Sequence, residues 1–162
     1  MKKARHPLLL VLLSPLIVPY VAVYLPAYAA ERLISGSVLR AWFRRAHVAR
    51  GRTIMFVTSN SPNWQAYVET NILPRLGARA VVLNWSEREG WPSVARWEGR
   101  FFRRFAGDRE FNPAALVHRP DGEIEVIRFH RAFLDFKHGN EGPLRAAEAA
   151  LFERAGVGDA PA

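Results

Sequence analysis

Thr53-Ile-Met-Phe-Val-Thr-Ser-Asn-Ser-Pro-Asn-Trp64 is the stretch whose reading decides the fold. Thr53 to Val57 are β-branched or apolar, which predicts a strand buried on both faces. Four small polar residues follow. Pro62 then stands where a first helical residue belongs, with Ser61 as its N-cap. A buried strand running into a capped helix opens a βα unit, and such sheets take ligands at the carboxyl ends of their strands.

Outward from this stretch, the pattern predicts a helix after Pro62 with Trp64, Tyr67, Val68 and Ile72 on its apolar face, ended by Pro74 and Gly77. Ala80 to Trp85 reads as a second strand, joined to the first by a right-handed crossover. Trp91-Pro92 opens another helix with Val94, Trp97, Phe101 and Phe105 as its apolar stripe. Ala114 to Val117 is a third strand, and Asp121-Gly122 turns the chain into a fourth, Glu123 to Phe129, with Ile124 and Val126 on one face. A polar stretch reaches Gly142. A last helix begins at Pro143, turns Leu144, Ala147 and Leu151 inward and stops at Gly156.

The order βαβαββα over residues 53–156, with Pro113 before the third strand, resembles the thioredoxin-like fold. The resemblance implies a cis bond at Asn112–Pro113 and a groove formed by Ser59, Asn60, Ser61, Asn63, Trp64, Asn112 and Pro113. It also places Ser61 and Trp64 where that family carries Cys-x-x-Cys, yet the chain has no cysteine. Thiol–disulfide exchange needs two thiols, so the reading keeps the fold and rejects the redox activity. Trp64 then plugs the groove or lids it, and the plug is favoured because burying an indole stabilises the fold by ~1.5–3 kcal/mol.

Ser61-Pro62-Asn63 also resembles the active loop of serine-type glutathione transferases, which implies a small-thiol enzyme with Ser61 at a helix N-terminus. The acidic residue and serine that such enzymes use for the γ-glutamyl group are missing after the hairpin. The expected function is accordingly a binding or scaffolding module without catalytic residues, cofactor or metal. Its ligand is a protein partner or a small thiol.

Charge locates a second partner. The formal net charge is +8 over 162 residues. Residues 1–52 hold nine basic side chains against one acid, whereas residues 53–162 hold fourteen of each. The excess lies beside an uncharged run of twenty-four residues, Pro7 to Ala30. That run is long enough to cross a bilayer, so membrane lipid explains the charge better than nucleic acid does. Residues 1–30 read as a membrane segment: an uncleaved single-pass anchor, a signal peptide cleaved after Ala29, or a hairpin bent at Pro15, Pro19 and Pro26.

Basic residues beyond the segment lean towards a cytoplasmic domain, with export after cleavage at Ala29 as the alternative. Residues 31–52 form a basic linker in which Ser37 to Arg50 is an amphipathic helix. Either Arg40, Trp42, Phe43, Arg44 and Arg45 meet the membrane surface or the helix packs on the domain. His118, His130 and His138 lack metal-site spacing. Arg100, Arg103, Arg104 and Arg109 read as a solvated helix face, and residues 157–162 as a frayed tail.

Overall fold

Strand β1, Ile54–Thr58, is the centre of a four-stranded mixed sheet in a computed structural model of the chain. The structure describes residues 6–107 and 112–157, without the side chains of residues 6–20, 29 and 31–33. Because strand side chains alternate between faces, Ile54 and Phe56 enter one core while Met55 and Val57 enter another. A strand buried on both faces needs helices on both, and its continuous apolar run reflects this.

β1 pairs in parallel with β2, Ala80–Asn84, and antiparallel with β3, Ala114–His118. β3 pairs antiparallel with β4, Ile124–Arg128, giving the order β2-β1-β3-β4. The turn between β3 and β4 uses Gly122 at φ 87°, a conformation that glycine adopts without a Cβ clash.

α1 runs from His6 to Ala46, and its final turns from Leu39 belong to the same compact unit as the sheet. α2 (Gln65–Tyr67), a π-helical turn (Val68–Ile72) and α3 (Leu73–Leu76) form one helical segment. α4 is Ser93–Ala106, α5 is His130–Lys137 and α6 is Gly142–Ala155. Val68, Ile72, Leu76, Phe133, Leu144, Leu151 and Phe152 cover the Ile54 face. Leu39, Phe43, Phe101, Phe102 and Ala106 cover the Met55 face.

Five expectations change. Residues 130–142 are not all polar loop, since α5 buries Ala132 and Phe133 beside Phe129. Pro74 does not end its helix: it sits at the start of α3, just after the wide turn in which Leu73 N–H reaches Val68 O. That extra residue moves a carbonyl away from the ring of a proline that has no N–H to give. The stripe of α4 is rotated, for Val94 is 57% exposed while Glu98, Gly99 and Phe102 are buried with Phe101.

The linker, fourth, is no separate helix, because α1 continues to Ala46 and only the short 3₁₀ turn Val48–Arg50 follows. Fifth, the compact unit starts at Leu39 rather than at Thr53. Its core takes in Leu39 and Phe43.

Among the described residues, no helix is long and apolar enough to cross a membrane. The expected transmembrane helix falls largely on residues 1–20, whose side chains lie outside the description. In the unit ending at Val38, Val23 is 70% exposed and Leu25 and Ile34 are exposed with it. Tyr24 stacks on Tyr28 at 6.1 Å. Arg109 and the tail beyond Val157 are likewise outside the described residues, while Val157 itself packs on the core.

Candidate functional site

The expected groove lies where β1 ends and the helical segment begins. Ser61 organises that junction through its carbonyl, which accepts from Trp64 N at 3.2 Å and Gln65 N at 3.0 Å. Its Oγ accepts from Asn63 N at 3.4 Å. These bonds close a turn rather than the expected cap: residues 62–64 are not helical, and the N-cap of α2 is Trp64, which makes no side-chain capping bond.

Trp64 is 9% exposed and belongs to the core of the Ile54 face. Its indole N–H donates to Ser59 Oγ at 3.2 Å, which satisfies the one polar atom the ring buries. The ring meets His130 edge-on at 5.7 Å and Phe133 at 6.2 Å, both on α5. The helix that sequence reading missed thus packs against Trp64. A readable signal was Phe129, Phe133 and Phe136, spaced as one helical face.

Asn60 leans the other way. Its Oδ1 accepts from Asn84 Nδ2 at 2.6 Å, and its N–H donates to Ser86 Oγ at 3.1 Å, tying the loop after β1 to the loop after β2. Asn63 is exposed and accepts from Lys137 Nζ at 3.4 Å. Asn112–Pro113 is cis, as expected. Pro113 is buried, and its carbonyl accepts from Phe129 N at 2.9 Å. Since Ala114 pairs with Val57, Pro113 sits at the same end of the sheet as the 59–64 loop.

The five residues expected at the membrane surface separate. Phe43 is wholly buried, 4.5 Å from Phe101 in a near-parallel stack, so it cannot face a bilayer. Trp42 is half-buried and stacks on Trp97 at 5.7 Å. Arg40 is within 3.5 Å of Glu123. Arg44 and Arg45 are exposed.

Two buried acids escaped the sequence reading. Glu98 Oε1 lies 3.1 Å from His47 Nε2, without the alignment of a full hydrogen bond. Burial lowers the His47 pKa, with Arg52 and Arg50 adding to it, and burial raises that of Glu98 against the pull of Arg52. Both neutral forms are therefore favoured inside. Glu148 packs beside Tyr67, whose hydroxyl accepts from Arg145 Nη1 at 2.9 Å. Burial, then the Glu148 hydrogen bond, push that phenol up to about 12.

Among the described residues, no cluster of three metal-ligating side chains converges. No protein-family model matches the chain, and neither a curated protein nor a solved structure matches it significantly.

Proposed function

We propose that this protein is a membrane-tethered, redox-inactive thioredoxin-like module that binds or scaffolds a partner. The strand order β2-β1-β3-β4, with β1 and β2 parallel and a helical segment between them in the chain, supports the likeness to that fold. One observation carries the functional half. The indole of Trp64 occupies the helix start, is buried, and is hydrogen-bonded to Ser59. A site filled by the chain's own ring, in a protein without cysteine, has no reacting atom to offer a disulfide.

The tether rests on the uncharged run from Pro7 to Ala30 and on Val23, Tyr24 and Leu25, exposed apolar side chains on a helix. Twenty-four residues exceed the ~20 that a helix needs to cross the hydrocarbon core. The basic excess in residues 1–52 suits an anionic leaflet, with Arg44 and Arg45 as exposed contributors.

Mass spectrometry of the native protein after alkaline carbonate extraction tests this reading. The expected result is a chain that stays in the membrane pellet and retains residues 1–30. A soluble chain beginning at Ala30 would show that the segment is a cleaved leader and that no tether exists.

A further inference from the structure

The loop after β2 and the helix α4 build a second concavity that the filled site does not use. On α4, Arg96, Gly99, Arg100 and Arg103 recur at i, i+3, i+4 and i+7, so they form one stripe. Helical stripes at that spacing are ordinarily apolar and face a core. Here three of the four positions are arginines, and Phe101, Phe102 and Ala106 serve the core instead.

Gly99 explains how the stripe becomes a cleft. A Cβ at this position would collide with Trp91 Cζ3, so only glycine lets the Trp91 indole rest on the helix. The indole N–H of Trp91 donates to Asn84 O at 3.1 Å, and its ring meets Trp85 edge-on at 5.2 Å. Trp85 is 7% exposed and packs on Phe102 at 4.9 Å. The result is a fixed aromatic floor. Above it lies a volume of about 280 Å³ lined by Trp85, Arg88, Trp91, Arg96, Arg100 and Arg103.

The arginines are positioned from two sides. Arg88 Nη1 donates to Trp85 O at 3.3 Å, and Arg96 Nε donates to Trp91 O at 3.2 Å. Each bond uses one of five guanidinium N–H groups. The Arg100 guanidinium lies 5.3 Å from the Trp97 ring. Among the described residues, neither Arg88, Arg96 nor Arg100 pairs with a carboxylate. Glu87, in the same loop, is engaged by Asn84 Nδ2 at 2.7 Å. Like charges at i, i+4 on a helix repel, so such a cluster is stabilised by an anion that bridges it.

We infer that this cleft binds a phosphate-bearing ligand carrying at least two negative charges. Guanidinium forks match phosphoryl oxygens in pairs, and several forks on one side of a small volume select for multiple charges. The indole of Trp91 gives an apolar surface for the organic part of the ligand. The volume is just below the range typical of sites for larger organic ligands, so it accommodates a phosphoryl group with a small substituent. Its position agrees, because the loop follows the carboxyl end of β2, which runs parallel to β1.

The test uses the full chain in neutral detergent micelles, with calorimetry and tryptophan fluorescence as readouts. Inorganic pyrophosphate is one probe and short-chain phosphatidic acid the other. The structure predicts saturable binding that weakens at least tenfold when Arg96→Gln and Arg100→Gln are combined. Arg119→Gln with Arg131→Gln, two exposed arginines on other elements, leaves it unchanged. Pyrophosphate binding identifies a soluble ligand as the source, and binding of phosphatidic acid alone identifies a lipid headgroup. Either result supports the cleft. Absence of saturable binding to both probes overturns it, as does an equal loss in the two double variants.

Discussion

Phe43→Ala is expected to lower the unfolding free energy by about 3–5 kcal/mol, the cost of emptying a fully buried aromatic position. Phe43 has no exposed surface, stacks on Phe101, and shares its core with Met55 and Leu116 of the sheet. For a unit of this size the melting temperature should fall by ~10–15 °C. Arg44→Ala and Arg45→Ala, at exposed neighbours, should change stability by no more than about 0.5 kcal/mol. Urea denaturation followed by circular dichroism measures all three. If Phe43 faced a bilayer instead, its alanine variant would keep its stability and lose membrane affinity, which is the opposite pattern.

Trp64→Ala should cost a comparable amount, about 3–5 kcal/mol, through a different core. The indole holds β1, the helical segment and α5 together, and its removal leaves a cavity beside Phe133 and His130. Ser59 Oγ also loses its donor. Trp64→Phe separates these contributions. It retains most of the volume and should cost only about 0.5–1.5 kcal/mol for the lost hydrogen bond, plus a smaller packing loss. The same urea titration checks both. A variant that stays as stable as the parent but loses a ligand would make Trp64 a lid over an open groove.

Those two residues also show how far sequence reading reaches. Strands at the middle of a sheet were legible because Ile54 to Val57 and Ala114 to Val117 are apolar without interruption, as burial on both faces demands. Trp64 reads as a plug or a lid, with the plug favoured because burying a large ring stabilises the fold, and the ring is 9% exposed. The end of α1 reads equally as a membrane-surface helix or as one packed on the domain. Its sequence is amphipathic, and periodicity does not reveal what covers an apolar face.

α4 shows a different limit. Phe101 and Phe105 fit two stripes that differ by a small rotation, and the true one includes Glu98, a residue that reads as polar. Glu98 is buried because His47 lies opposite it, fifty-one residues away in the chain. No local pattern contains that information. The arginine cleft was hidden for the same reason, since Arg88 and Trp91 reach Arg96 and Arg100 only once the loop folds over Gly99. α5 was missed because Arg131, Asp135 and Lys137 dilute an aromatic face of helical spacing.

The indole N–H of Trp64 reports directly on whether the site after β1 is filled. In a nuclear magnetic resonance titration of the full chain with glutathione, the Trp64→Phe variant assigns its signal among the five tryptophans. Because the ring is packed against α5 and bonded to Ser59, the signal should stay in place through millimolar glutathione. A saturable shift at Trp64, abolished by Ser61→Ala, would mean that the groove is open and that Ser61 engages a thiol ligand.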